Sequence, residues 1–283
     1  MSLTASDFDY LRELVRREAA IVLEPGKEYL ALTRLDPIAR GEGLASVSDL
    51  VARLRAGNRT ALHEEVVDAL TTNETSFFRD LHPFESLRTH VLPELVERNA
   101  QRRTLSIWCA ACSSGQEPYS VAMLIREHFP ELEGWRIDLL GTDISPSMLE
   151  RARAGRYGQL EVNRGLPAQL LLKYFRRVGA HWELDDSIRQ MVRFQRHNLV
   201  GAWPPFPPFD VVFLRNVLIY FGLETKRQVL ARVRSVMRPD GYLLLGGSET
   251  TLNIDDGFER VPIGRTTWYR PRTQPGRGGD GCS

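Results

Sequence analysis

Acids, amides and one arginine stand at the ends of short apolar segments in this sequence, where a nucleoside-type ligand could be held. Thr104-Leu105-Ser106-Ile107-Trp108 reads as a strand, and it runs into Ala110–Glu117, a loop of small residues whose backbone can approach a ligand closely. The loop holds Gly115 alone rather than a G-x-G-x-x-G pattern, which argues against a nicotinamide dehydrogenase. Asp143 ends the second strand, where a carboxylate can accept hydrogen bonds from both hydroxyls of a ribose. An aspartate there also serves as a turn or capping residue. Asn198-Leu199 and Asn216-Val217 follow the next two strands. Side-chain amides both donate and accept, so they suit an adenine edge or a methionine backbone, though each alone is also an ordinary turn residue. Arg79, with Asn73 and Thr75, precedes the strands; its guanidinium matches a carboxylate if the segment folds back over the ligand. Otherwise it is a surface arginine on a linker.

Other chemistries find less support. Cys109 and Cys112 form one C-x-x-C without a second pair or spaced histidines, so they read as packing thiols and no metal is expected. The formal net charge of +1 gives no basic field for nucleic acid. No apolar run is long enough to span a bilayer. The first residues lack a charged segment followed by an apolar one, so no signal peptide is read and the cytoplasm is expected.

These residues need a scaffold. Residues 4–22 carry Phe8, Leu11, Leu14 and Val15 at helical spacing, with Ser6 as the expected N-cap. A second helix starts at Lys27 and is expected to kink or restart at Asp36-Pro37. Residues 46–56 and 60–70 complete an all-helical unit over 1–70, followed by a linker, 71–83. From 84 to 272 strands and helices alternate: a helix over Phe84–Arg98, strands at 104–108, 136–141, 192–195, 209–214 and 242–245, helices from Pro118, Ser145 and Thr225, and a terminal strand pair at 258–261 and 266–269. This pattern predicts an α/β, doubly wound sheet with helices on both faces. Residues 156–190 interrupt it as an insert of short elements, and the Gly-rich tail 273–283, with Cys282, reads as disordered. A loop and a strand-end acid at these positions fit a nucleoside cofactor, which in a methyltransferase-type sheet is S-adenosylmethionine.

Four segments occur in order: Thr71–Asp80 (TTNETSFFRD), Ala110–Ser120 (AACSSGQEPYS), Gly141–Ser145 and Arg215–Phe221 (RNVLIYF). The set resembles the CheR-type chemoreceptor glutamate O-methyltransferases, over roughly residues 5–270. The resemblance implies a class I methyltransferase-like sheet with a terminal antiparallel strand, preceded by a small all-helical domain. It implies S-adenosylmethionine as cofactor, contacted by Asn73, Thr75 and Arg79 from the linker and by Glu117, Asp143, Asn198, Leu199, Asn216 and Val217 from the sheet. Tyr220 would lie near the transferred methyl, so Arg79 and Tyr220 are the expected catalytic pair. Arg34 and Arg40 of the second helix would face the acidic helices of a methyl-accepting chemoreceptor cytoplasmic domain. The 156–190 insert matches the family's small β-subdomain, and Gly247-Ser248-Glu249 its strand-end turn. Gln116 departs from the pattern, in which an acidic residue is common. A monomer in transient contact with its receptor is expected. Two alternatives stand beside this reading. A methyltransferase of nucleic acid or a small molecule is disfavoured because Asn198-Leu199-Val200-Gly201 is not Asn-Pro-Pro-Tyr. A cofactor sensor or scaffold without transfer is disfavoured by Arg79, Asp143 and Tyr220.

Overall fold

The computed structural model describes residues 3–57 and 60–272, so the tail from Thr273, with Cys282, lies outside the described residues. Four helices come first: α1 Ala5–Ala19, α2 Glu28–Gly41, α3 Val47–Ala56 and α4 Ala61–Leu70. Their inward faces (Leu11, Leu14, Val15, Leu35, Leu50, Leu54 and Val66 among them) form one core. Thr4, not Ser6, caps α1: its Oγ1 accepts from Asp7 N at 3.1 Å, and Ser6 falls inside the helix. Thr4 is the last residue with extended backbone, which is what an N-cap requires. The helix stops at Ala19 because Ala20 turns left-handed (φ 54°) and closes on the Arg16 carbonyl.

Pro37 neither breaks nor restarts α2, which runs through it to Gly41. An interior proline costs about 3 kcal/mol. Leu35 is fully buried on the inward face, which recovers about 1.5–3 kcal/mol, and Ala31 and Ala39 add to it. Packing thus outweighs propensity here. The helix expected over Phe84–Arg98 is a rod in three parts: α5 His82–Ser86, a π turn at Leu87–Val91, and α6 Leu92–Asn99. Pro93 lies in the first turn of α6 and lacks the N–H that a regular α-helix needs, and the wider turn just before it accommodates the loss.

The sheet follows: β1 Thr104–Ala110, α7 Gln116–His128, β2 Arg136–Asp143 and α8 Pro146–Ala154. The insert adds β3 Arg156–Gly158, α9 Gln159–Asn163, α10 Ala168–Tyr174, β4 Phe175–Val178, β5 His181–Leu184 and α11 Asp186–Arg189. Then come β6 Val192–Arg196, β7 Phe209–Leu214, α12 Leu223–Ser235, β8 Met237–Leu245, β9 Phe258–Ile263 and β10 Thr266–Pro271. Seven strands form one sheet in the order β6-β2-β1-β7-β8-β10-β9, parallel except that β10 runs antiparallel to both its neighbours. The insert makes its own antiparallel sheet, β3-β5-β4. Pro239-Asp240-Gly241 does not follow α12 as a loop. It lies within β8, at a register shift opposite Phe209–Val211.

Both faces of the main sheet are covered, and the strand alternation shows it. Leu105, Ile107 and Cys109 of β1 pack with α7, while Trp108 and Ala110 pack with Val229, Leu230 and Val233 of α12. Strand order reverses between β1 and β7, and a doubly wound sheet opens its ligand crevice at such a switch, beyond the carboxyl ends of the strands. Among the described residues no helix is long and apolar enough to cross a membrane.

Candidate active site

At the switch point lies a cavity with about 910 Å³ of free space, part of it open to solvent. Its floor is the loop after β1. The backbone there is strained, with Ala111 (φ 56°) and Ser113 (φ 49°) left-handed before Gly115 (φ 91°) turns the chain into α7. A Cβ on Gly115 would come within 3.0 Å of Ala152 and 3.1 Å of Tyr119, so only glycine fits. The strain aims Ser113 at two anchors: its N–H donates to Asp143 Oδ2 (2.8 Å) and its hydroxyl to the Asn73 carbonyl (2.7 Å). The linker is thereby fastened over the loop.

Asp143 is buried at the end of β2, and its Oδ1 accepts from Ser145 N (2.9 Å). Each oxygen has taken one backbone donor, which leaves lone pairs for the two hydroxyls of a ribose. Burial pushes this carboxyl above its usual range, against the opposing pull of the Ser145 and Ser113 amides. Glu117, in the first turn of α7, is buried and likewise pushed up by burial, although Arg215 pulls it down.

Arg215 was not among the expected site residues, yet it organises this wall. It follows β7 with its side chain 2% exposed, reaching Glu117 Oε2 (2.9 Å), Asp80 Oδ2 (2.7 Å) and the Arg79 carbonyl (3.1 Å). The signal was legible: an arginine ending the buried run Phe209–Leu214 must find carboxylates. A second such residue is Glu249. Its carboxylate accepts from the backbone N–H of Asn216 (2.8 Å), Ile219 (3.2 Å) and Gly246 (2.7 Å), which pins the loop carrying Tyr220. Gly246 allows this approach, because a Cβ there would meet Glu249 Oε2 at 2.7 Å.

All the residues expected to bind cofactor or catalyse line this one cavity: Asn73, Thr75 and Arg79 from the linker, Glu117 and Asp143 from the first two strand ends, Asn198-Leu199 and Asn216-Val217 from the next two, and Tyr220. Arg79 donates from Nη1 to the Glu74 carbonyl at 3.1 Å, which leaves its other donors for an anion. Asn198 is more committed than its expected role requires. Its Nδ2 donates to the Glu18 carbonyl (2.8 Å), and its Oδ1 accepts from Val200 N (3.1 Å). Ala19 and Ile21, just past α1, also wall the cavity; nothing in the sequence marked them.

The two expected docking arginines differ. Arg34 is half-buried and its Nη1 donates to the carbonyls of Leu70 (3.1 Å) and Thr71 (2.9 Å), holding the start of the linker. Arg40 is 78% exposed and among the described residues pairs with Asp36 at 2.8 Å. Cys109 and Cys112 are buried free thiols, and burial pushes both well above their usual range, so neither is a nucleophile.

The cavity suits S-adenosylmethionine on its own chemistry. Asp143 would take the ribose hydroxyls, Glu117 a cationic end, and Ile21, Leu199, Val217 and Phe221 an apolar ring, while Arg79 offers its donors to a carboxylate, of the cofactor or of an acceptor. Comparison with known proteins points to the same cofactor. Residues 73–267 match the family model described as CheR methyltransferase, SAM binding domain, and residues 6–71 match CheR methyltransferase, all-alpha domain. The chain is 42% identical over 277 residues to Chemotaxis protein methyltransferase 1 of Pseudomonas aeruginosa, covering 96% of this chain and 100% of that one. It is 40% identical to Chemotaxis protein methyltransferase Cher2 of Pseudomonas putida (92% and 96% covered). It is 41% identical to a Chemotaxis protein methyltransferase of Vibrio parahaemolyticus (92% and 95% covered).

Proposed function

The chain belongs to the CheR methyltransferase family, an S-adenosylmethionine-binding methyltransferase of chemotaxis, and on that premise we propose that its acceptors are glutamate side chains on the cytoplasmic helices of methyl-accepting chemoreceptors, which it converts to methyl esters. One observation carries the choice of a carboxylate acceptor: the Arg79 guanidinium lines the cavity and spends Nη1 on the Glu74 carbonyl, which leaves donors that match a carboxylate. An amine or hydroxyl acceptor must lose a proton, whereas a free glutamate side chain titrates at about pH 4.3 and is already ionised near pH 7.

The cofactor supplies a methyl group activated by the sulfonium that carries it. The chain has only to orient and desolvate the acceptor, and such positioning alone lowers barriers by about 7–11 kcal/mol. Arg79 orients the acceptor carboxylate through its unspent donors. Tyr220 frames the methyl, held in place by the Glu249 clamp on its loop. The 3-10 turn Leu218–Tyr220 is further fixed from the helical side, since Val22 N donates to the Tyr220 carbonyl at 2.9 Å. Arg34 and Arg40 belong to the helix that faces the acidic receptor helices in this reading.

The test uses methyl-labelled S-adenosylmethionine with membranes carrying the host's chemoreceptors. Base treatment of the protein product should release labelled methanol, which only a methyl ester gives. Protein-bound label that resists base would rule out a carboxylate acceptor. Arg79→Ala should cut transfer at least about tenfold, the value of one lost charge-assisted hydrogen bond, with little change in thermal unfolding. Unchanged transfer in that variant would remove Arg79 from its role.

A further inference from the structure

A groove with about 1160 Å³ of free space, part of it open to solvent, runs between the helical portion and the turn that carries Tyr220. One wall is Lys27, Leu30, Ala31 and Arg34, spaced as one face of α2 and its N-cap. The other is the turn at 219–222. The groove adjoins the cofactor cavity, because Ile21, Thr72, Tyr220 and Phe221 line both. The segment after α1 forms part of the partition: Ile21 bridges Phe221, and Val22 N–H donates to the Tyr220 carbonyl at 2.9 Å. A molecule lying in the groove therefore meets the cofactor cavity at Tyr220.

Two apolar side chains stand beside Tyr220 in this groove without a packing role. Val22 is 48% exposed and Ile219 46%. Their neighbours are accounted for. Ile21 and Leu23 pack against the helical core, and Leu218 and Phe221 are buried against the sheet. Val22 and Ile219 belong to none of the cores among the described residues. A solvent-facing turn ordinarily carries polar residues, so an apolar pair on the rim of a groove that leads to the reacting centre marks a surface for a partner. Charge says which kind. Lys27 is exposed and has no carboxylate partner among the described residues. Arg34 spends Nη1 on two carbonyls, not on an acid, and Glu24 is the single carboxylate on the wall. The groove thus offers apolar contact next to Tyr220 and a cation farther along.

We propose that this groove seats an amphipathic helix of the methyl-accepting protein. Its acceptor carboxylate enters at Tyr220, an apolar side chain one helical turn away packs between Val22 and Ile219, and a second carboxylate pairs with Lys27. Side chains three or four positions apart share one face of a helix, so a single face supplies the acceptor and both contacts. Val22 and Ile219 are then specificity-determining residues: they select among glutamates by the neighbour one turn away. The inference rests on the reading of the acceptor as a protein carboxylate.

The test measures the KM for receptor membranes, with the full chain and methyl-labelled S-adenosylmethionine. Val22→Ser with Ile219→Ser should raise it about tenfold, because each side chain is half exposed and covering it recovers about half the value of full burial. The cofactor dissociation constant should not change, which also reports that the variant is folded. Lys27→Glu should raise the KM about threefold or more, the scale of an exposed ion pair, and Lys27→Arg should not. Leu160→Ser, at an 84% exposed position on α9 outside the groove, should leave it unchanged. An unchanged KM in the folded Val22/Ile219 variant, or an equal rise in Leu160→Ser, would overturn the site. So would sedimentation showing a dimer of the unaltered chain that the Val22/Ile219 variant dissociates, since a second copy would then be the occupant. Base-released methanol is read from the same product. Its absence with the unaltered chain would refute the carboxylate reading alone, while the KM comparison still tests the groove on whichever side chain is labelled.

Discussion

Arg215 and Glu117 illustrate what a buried ion pair does at a site. The pair is worth little over an apolar replacement, but removing one partner strands the other charge. Arg215→Ala should therefore lower the free energy of unfolding by about 3–5 kcal/mol, while Glu117→Gln, which keeps a hydrogen-bond acceptor, should cost clearly less. Urea denaturation of the two variants checks this, and equal losses would mean that Arg215 acts by packing alone. Asp143 gives a pH signature. Its ordinary value is 3.8, and Glu117's is 4.5; burial raises both in the folded chain. Between the ordinary and the raised values the native state binds more protons than the unfolded one, so these two groups make stability fall as pH rises through that window. On the proposal that Asp143 holds the ribose, cofactor affinity should run the other way, because hydroxyl donors favour the ionised carboxylate. On acidification it should weaken above pH 3.8, before an ordinary aspartate titrates. Asp143→Asn should bind weakly at neutral pH and keep only the part of this dependence that Glu117 contributes. Affinity of the unaltered chain that stays flat down to pH 3.8 would remove Asp143 from the ribose.

At the scale of elements, the notable piece is the end of α1. It leaves the helix through the left-handed Ala20, places Ala19 and Ile21 against the cofactor cavity, bridges Ile21 to Phe221, and is tied by Asn198 to the end of β6. A segment lying 180 positions before Asn198 thus forms part of the wall beside Tyr220. Asn198→Ala removes one bond to Glu18 and one to Val200, so it should cost about 1–3 kcal/mol of stability and raise the dissociation constant for S-adenosylmethionine. Thermal unfolding and cofactor titration of one sample measure both. A stability loss with unchanged affinity would show that the α1 end only packs there. Sequence reasoning erred locally at this scale, over the cap of α1, the passage of Pro37 and the π turn before Pro93. Burial outweighed the propensity of Pro37, and the neighbouring Thr4 took the cap from Ser6, whereas at Pro93 the missing N–H itself went with the wider turn.

At the scale of the whole molecule, the helical and sheet portions are joined by specific ties: Arg196 to Glu64 (3.1 Å), Ser147 to Asp68 (2.6 Å), and Arg34 to the carbonyls that open the linker. Arg164 of the insert pairs with Glu74 of the linker, and Gly165 lets the insert pack on the Phe77 carbonyl, where a Cβ would sit 2.0 Å away. These ties separate two substitutions that the sequence treats alike. Arg40→Glu, on an exposed face, should reduce receptor methylation and leave cofactor affinity unchanged. Arg34→Glu should reduce both, because it releases the linker that carries Asn73 and Thr75. Equal cofactor affinity in the two variants would show that Arg34 is as peripheral as Arg40.

The sequence by itself determined the alternation of strands and helices, the order of its four motifs, and which residues stand at strand ends, because periodicity and turn chemistry are local properties. It also showed the strand-end acid Asp143 and the small-residue loop that suit a nucleoside. Only the tertiary structure decided what closes over them. The buried charge of Arg215 needs two carboxylates that are distant in sequence, Glu249 clamps a loop 30 or more residues before it, and Ile21 reaches the cavity only because four helices pack into one core. Such contacts depend on burial and on hydrogen bonds between distant segments, and neither leaves a periodic trace in the chain.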